Sequence, residues 1–258
     1  MTRERGQDDR DFDQTYLSEK NHGAKLHRDY TAHFYRWCFI ERWTRLFNKN
    51  NACRILEVGC GPERPLPMIL TKTKASRVDY YLGVDLNKAK RKGKIKWEHY
   101  LEDFNFVERW EELQAEHKGD DRFHLAVHLE VIEHMQPEHG DELLRGCYEL
   151  LQPGGYLLMS TPCYNGKWQA ANHIHEYEIP ELQQKIEDAG FIVEQRFGTF
   201  ANVPSLKREC EKDPARKQLW DELSEYYSYD ALSCIFAPLF PDEARNNLWV
   251  CKKPEDAE

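Results

Sequence analysis

The segment Glu57-Val58-Gly59-Cys60-Gly61-Pro62 follows directly on the apolar run Arg54–Val58, and it narrows what the chain can fold into more than any other feature. Glycines at the end of a strand let the backbone turn tightly and let a ligand approach the main chain. The sequence on either side alternates. A helical stretch Pro67–Lys74 leads to an apolar strand Tyr80–Val84, a strand Ile95–Tyr100, a helix Val107–Glu116 and a strand His124–Leu129. Helix Gly140–Leu151, a Pro-Gly-Gly turn and strand Tyr156–Ser160 continue the series. Helix Pro180–Ala189, strand Phe191–Phe197, a mixed helical segment Pro204–Leu232 and strand Asn247–Cys251 complete it. This alternation predicts an α/β fold: a mostly parallel sheet with helices on both faces. At 258 residues the chain holds one such domain with appendages rather than two enzymatic domains.

A Gly-x-Gly turn alone also opens dinucleotide-binding folds. Two details separate the possibilities. The third glycine of that fingerprint is replaced by Arg64, and Glu57 sets a carboxylate at the strand end, unsuited to a pyrophosphate but suited to a cationic amino acid group. The next strand ends in Asp85-Leu86, and an acid there can accept both hydroxyl hydrogens of a ribose. Asp103 and Phe104, after the third strand, are placed to meet the edge and face of an adenine. Together these positions describe a cleft for an adenosine carrying a positively charged amino acid tail.

The motifs ILEVGCGP, YLGVDLN, FHLAVHLEVIEHM and LLQPGGYLLMSTP, in this order and spacing, resemble those of the class I S-adenosylmethionine-dependent methyltransferases, in particular the subgroup with an EVIEH-type fourth motif. The resemblance spans roughly Arg54 to Lys253. It implies a Rossmann-like sheet of seven strands whose last strand is antiparallel. It assigns Glu57, Gly59, Cys60 and Gly61 to the methionine part of S-adenosylmethionine, Asp85 and Leu86 to the ribose, and Asp103 and Phe104 to the adenine. His128, Leu129 and Glu130 fall at the strand end beneath the methyl group.

The fourth motif carries the chemistry beyond the cofactor. It has neither an Asp/Asn-Pro-Pro-aromatic run nor a Pro-Cys, which disfavours ordinary DNA-base methylation. Pro162-Cys163 after the fifth strand reads as a loop cysteine in a Ser-Thr-Pro turn. A general base is needed where the accepting atom holds its proton tightly, and His134 and His175 are the catalytic candidates. The main reading has no metal. In the alternative, Glu130, Glu133, His134 and His175, with His173 in the same loop, hold a divalent ion as in the similar small-RNA 3′-end 2′-O-methyltransferases. EVIEH also occurs in metal-free enzymes that act on small molecules.

Selectivity in such a fold comes from what is added over the carboxyl edge of the sheet. One addition is the aromatic N-terminal segment, with Tyr16, His27, Arg28, Asp29, Tyr30, His33, Tyr35, Arg36 and Trp37. The other lies before the last strand and carries Trp220, Tyr226, Tyr227 and Tyr229, aromatics able to grip a planar substrate. The predicted organisation is therefore a tail and helical extension over 1–50, a methyltransferase domain over 51–253 with a substrate cap at 202–233, and a short tail over 254–258. Net charge is −9, which disfavours a broad nucleic-acid surface, although Lys88, Lys90, Arg91, Lys92, Lys94 and Lys96 form a basic run after Asp85. The eight cysteines make no Cys-x-x-Cys pair and read as reduced core residues. With no apolar run near the ~18 residues a membrane span needs, and a polar N-terminus, the expectation is a cytoplasmic enzyme without a membrane partner.

The expected reaction is methyl transfer from S-adenosylmethionine to an oxygen or nitrogen of a small or medium-sized metabolite. Two alternatives stand beside it: a metal-dependent 2′-O-methyltransferase acting on an RNA end or a nucleotide, and a non-catalytic adaptor that keeps the fold for binding.

Overall fold

The computed structural model describes residues 25–45, 53–72, 78–88, 95–167 and 169–255, with side chains in the first helix from residue 31 onward. The expectations for the tail with Tyr16, for the side chains of His27, Arg28, Asp29 and Tyr30, and for Lys90, Arg91, Lys92 and Lys94 lie outside the described residues.

Helix α1 (Lys25–Thr44) precedes β1 (Cys53–Val58), α2 (Pro65–Lys72), β2 (Val78–Val84), β3 (Glu98–Leu101), α3 (Phe106–Glu116) and β4 (Phe123–Leu129). There follow α4 (Pro137–Leu150), β5 (Leu151–Pro162), α5 (Ile179–Asp188), β6 (Ile192–Ala201), α6 (Val203–Glu211), α7 (Pro214–Ser224), α8 (Tyr229–Phe236) and β7 (Ala244–Lys252). The seven strands form one sheet in the order β3-β2-β1-β4-β5-β7-β6. Pairs from β3 to β5 are parallel, and β7 runs antiparallel to both β5 and β6. The chain winds outward from β1 in one direction and from β4 in the other. Their carboxyl ends therefore border a crevice, the usual ligand position in open α/β sheets.

Two apolar layers cover the sheet. On one face Leu56, Leu82, Ala126, Leu157, Met159 and Trp249 pack against Trp110, Leu113, Leu143, Leu144 and Cys147 of α3 and α4 and Leu182 and Ile186 of α5. On the other, Ile55, Tyr81, Leu125, Val127, Leu158 and Val250 meet Leu66 and Leu70 of α2 and Ile40 of α1, with Trp37, Phe39 and Trp43 alongside. Leu206, Cys210, Trp220, Leu232 and Phe236 of α6 to α8 make a smaller cluster with Ala201 and Ala244. All eight cysteines are free thiols. Among the described residues no helix is long and apolar enough to cross a membrane.

Local chemistry sets the element ends. Asn202, Asp213 and Ser228 each accept a hydrogen bond from a backbone N–H in the first turn of α6, α7 and α8, so the stretch expected to be mixed resolves into three capped helices. Helix α4 begins three residues before the predicted Gly140, because Pro137 fits its first turn. The Pro-Gly-Gly turn falls inside β5: Leu151 pairs with Phe123 and Tyr156 with Leu125, so the intervening residues bulge out. Strand β6 extends to Ala201, four residues past the predicted end.

The carbonyl end of α4 is closed by a buried lysine near the end of the last strand. Lys253 Nζ donates to the carbonyls of Tyr148 and Leu151, at 2.8 and 2.9 Å. Replacing it by methionine keeps the aliphatic stem and leaves both carbonyls without this donor. Lys253→Met is expected to lower stability by about 1–3 kcal/mol in urea denaturation, with an unchanged slope.

Candidate active site

The glycine loop lies at the carboxyl end of β1 and is laced to β2. Gly59 N and Cys60 N both point at the Val84 carbonyl, at 2.9 and 3.4 Å, and Gly61 N donates to Asp85 Oδ2 at 2.8 Å. Asp85 Oδ1 also accepts from Asn87 N at 2.7 Å. Each carboxylate oxygen has a second lone pair, so these bonds orient Asp85 without exhausting it. Gly59 and Gly61 both have left-handed backbones. A Cβ on Gly59 would meet Val131 Cγ2 at 2.5 Å, whereas one on Gly61 would meet nothing within 4 Å. The first glycine is thus required by packing, and the second opens onto free space.

Three non-glycine residues share that left-handed conformation: Arg64, Asp103 and Glu130. All stand just beyond the carboxyl ends of strands, after β1, β3 and β4. Each costs about 1–2 kcal/mol, and such outliers collect where function fixes the backbone. Arg64, which occupies the place of the third glycine, takes the glycine-like backbone itself. Its guanidinium lies 3.3 Å from the Tyr100 ring centroid and donates to Glu102 at 2.7 Å.

Three carboxyl groups line the edge, Glu57 and Glu133 buried and Glu130 half-buried, each in different company. Glu57 accepts the Tyr81 hydroxyl at Oε2. Burial raises it to about 8, with the Tyr81 hydrogen bond opposing and the Asp85 charge adding. Glu133 accepts Thr161 Oγ1 at 3.0 Å, its Oε1 is buried without a hydrogen bond, and burial together with Glu130 holds it far above the carboxylate range. Burial works the same way on Glu130, but Arg36, His33, Ser160 and Asn246 outweigh it and keep this group ionised. Ser160 Oγ donates to it at 2.7 Å, Asn246 Nδ2 at 2.9 and 2.8 Å, and Arg36 NH1 lies 3.6 Å away.

Arg36, only 2% exposed, brings α1 into this edge and also donates to Thr199 of β6 at 3.1 Å. His33 Nδ1 sits 3.2 Å from Arg36 NH1, and because arginine only donates, this nitrogen is the acceptor. Burial and then Arg36 push the His33 imidazole down to about 4, against the pull of Glu130.

The histidines expected to act together separate. His134 Nδ1 lies 3.2 Å from the Asn172 carbonyl, and its ring meets His173 at right angles, 4.9 Å between centroids. One ligand atom each of Glu133, His134 and His173 lie within 4.8 Å of one another. His175 instead turns to Glu181 in the first turn of α5, with Nε2 at 3.0 Å, and packs on Tyr177. The predicted alternative metal set of Glu130, Glu133, His134 and His175 is therefore not assembled. Arg36 and Asn246 claim Glu130, the α5 turn claims His175, and His173 takes the vacant place.

Other predicted positions are corrected by burial. The His128 imidazole is fully buried within the sheet and held neutral, its value lowered to about 3, so it is not part of the cleft wall. Phe104 is 4% exposed, sits in the core and carries the Arg109 guanidinium 4.4 Å from its ring centroid; the face assigned to adenine is packed inside. Asp103 and Leu86 are exposed, and Leu129 is half-buried. Cys60 and Cys163 are buried thiols, and burial raises both; Cys163 is pushed up to about 11 and accepts from Asn247 Nδ2 at 3.0 Å. Tyr81, Ser160, Thr161, Thr199 and Asn246 were not singled out in the sequence. The signal for four of them was polarity near strand ends in otherwise apolar runs.

Comparison with known proteins agrees with this geometry. A family profile described as "Methyltransferase domain" matches residues 28–212. The chain is 30% identical over 122 residues to the ubiquinone biosynthesis O-methyltransferase of Leptothrix cholodnii, covering 46% of this chain and 48% of the relative. It is 33% identical over 135 residues to the enzyme of that name from Chromobacterium violaceum, covering 50% and 51%. The chain thus spans about half the length of these curated relatives. Among solved structures, an S-adenosylmethionine-dependent methyltransferase from Archaeoglobus fulgidus shares the fold, with a TM-score of 0.51 and 17% identity over 84% of this chain and 94% of the other.

The Arg36 contact generates a test. A group whose folded-state value is depressed contributes stability above its ordinary range and loses it as pH falls through the lowered value. Arg36→Met should cost about 1–3 kcal/mol at neutral pH, because Glu130 loses its cation, and the deficit should shrink below the usual carboxylate range. Urea melts at neutral and acid pH check both statements.

Proposed function

We propose an acceptor for a chain that belongs to the S-adenosylmethionine-dependent methyltransferases: it moves the methyl group to a hydroxyl oxygen of a small or medium-sized metabolite. The observation that carries this reading is the His134 imidazole. Its Nδ1 faces a carbonyl, which can only accept, so Nδ1 bears the proton and Nε2 is the basic nitrogen. That nitrogen lies 3.9 Å from Glu133, an acid kept neutral by burial and by the Glu130 charge. A hydroxyl acceptor needs such a base, whereas a free amine does not. The relatives named as O-methyltransferases support the choice of oxygen.

The residues present fit the cofactor. Gly61 opens onto free space, Asp85 keeps lone pairs for hydroxyl hydrogens, and Glu57 sets a buried carboxyl where the cationic amino acid tail would lie. Bound S-adenosylmethionine supplies an activated sulfonium methyl, so the protein's work is alignment, exclusion of water and removal of the acceptor's proton. In this reading His134 takes that proton. The Arg36, Asn246 and Ser160 contacts hold Glu130 as a fixed negative wall on the α1 side of the crevice. In this reading helices α6 to α8 and α1 form the cap over the acceptor, with Tyr227 close enough to Tyr35 to act on it. The adaptor alternative gives way to membership in a family of enzymes.

Two measurements decide it. Protein given labelled cofactor and a catechol, an aliphatic amine or a short RNA should methylate the catechol oxygen, and transfer to the amine or the RNA alone would overturn the reading. His134→Gln should lower kcat by about 10²–10⁴ and leave affinity for S-adenosylhomocysteine unchanged; an equal loss in both would make the histidine structural.

The cluster of Glu133, His134 and His173 favours a second reading, in which a divalent cation there lowers the pKa of the acceptor hydroxyl. Turnover lost to a chelator, restored by Mn²⁺ or Mg²⁺ and insensitive to these in His173→Ala would select it. Turnover indifferent to the chelator selects the metal-free base.

A further inference from the structure

Tyr81 has no part in the reading so far, yet it sits behind the glycine loop with unusual constraint. It is fully buried in β2, one strand from Glu57, and the register of β1 on β2 places both side chains on the α1 face. Trp97 and Tyr100 press edge-on against its ring, 6.4 and 5.7 Å between centroids. The phenol is wedged with its hydroxyl donating to Glu57 Oε2. Glu57 is itself only 3% exposed, and its other oxygen has no hydrogen-bond partner among the described residues. A buried, immobile donor on one oxygen and none on the other is more than packing requires, since phenylalanine would fill the same space.

We propose that Tyr81 is a positioning residue for the cofactor: it anchors one oxygen of Glu57 and leaves the other to take the cationic amino group of the amino acid tail. The proposal rests on the assignment of Glu57 above and deepens it. The groups facing Glu57 are Tyr81 from β2, Asp85 at the end of that strand and Cys60 in the loop, with Arg64 acting on Cys60. In the free protein Glu57 is raised to about 8, by burial first and by the Asp85 charge in the same direction, with the Tyr81 hydrogen bond working against both. Near neutral pH the acid therefore holds a proton that a cationic tail must displace. Affinity for ligands with the tail should rise with pH toward that value, and affinity for ligands without it should stay level.

Calorimetric titration of the full chain with S-adenosylhomocysteine, and with 5′-methylthioadenosine, which lacks the tail, tests this. Tyr81→Phe should weaken the first by about tenfold at neutral pH and the second by less than about twofold. It should also move the rise in S-adenosylhomocysteine affinity to higher pH, because the bond that favoured the ionised acid is gone; the ligand's own amino group titrates identically in both proteins. Glu57→Gln should remove the part of the pH dependence that Tyr81→Phe displaces, and adding Tyr81→Phe to it should cost nothing further. Equal weakening of both ligands, an unmoved pH profile or additive losses would overturn the proposal for Tyr81 alone. Wild-type protein that binds the two ligands equally well would overturn the assignment of Glu57 itself, and the proposal with it.

Discussion

The carboxyl edge of this sheet is organised by the difficulty of burying negative charge. Glu57, Glu130 and Glu133 all lose water there, and an ionised carboxylate in a low-dielectric interior is costly unless paired. The chain meets that cost in three ways. Glu130 gains a cation and three donor contacts, Glu133 keeps its proton and one hydroxyl partner, and Glu57 sits between with a single phenol. The pairing of Glu130 has the widest structural reach, since Arg36 comes from α1, Ser160 from β5 and Asn246 from β7. One carboxylate thus joins the extension that precedes the sheet to strands from the middle and last thirds of the chain. The left-handed backbone at Glu130 is what turns its side chain into that junction.

How far the sequence carried depended on the distance over which each feature is encoded. Strand and helix order and the glycine loop followed from local patterns, because periodicity of two or 3.6 and Gly-x-Gly after an apolar run express themselves over a few residues, whereas the antiparallel last strand came only from the family resemblance. Asp85 was found for the same reason. His128 and Phe104 were misassigned because position at a strand end does not say which face a side chain takes or what lies over it. The histidines show the limit most clearly. His173 and His175 are two residues apart in one loop, and nothing in HIH states which turns toward Glu133. The capping turn of α5, six residues further on, draws His175 to Glu181 and decides it. Likewise the partners of Glu130 lie 94, 30 and 116 positions away, beyond any spacing rule.

The proton economy of the edge bears on the order of events in methyl transfer. Glu130, ionised and fixed, gives a constant negative field on the α1 side of the crevice, while Glu133 contributes none because it is neutral. In the proposed reaction the nitrogen of His134 that would take the acceptor's proton stands on the side of the neutral acid, 3.9 Å from Glu133. The coupling between the two acids adds to burial: Arg36 secures the charge on Glu130, and that charge helps burial to keep the proton on Glu133 against the direct pull of Arg36 itself. In the proposed reaction one arginine, on a helix outside the sheet, therefore acts on both acids beside the histidine assigned as base: it holds Glu130 ionised, while burial keeps Glu133 neutral in spite of it.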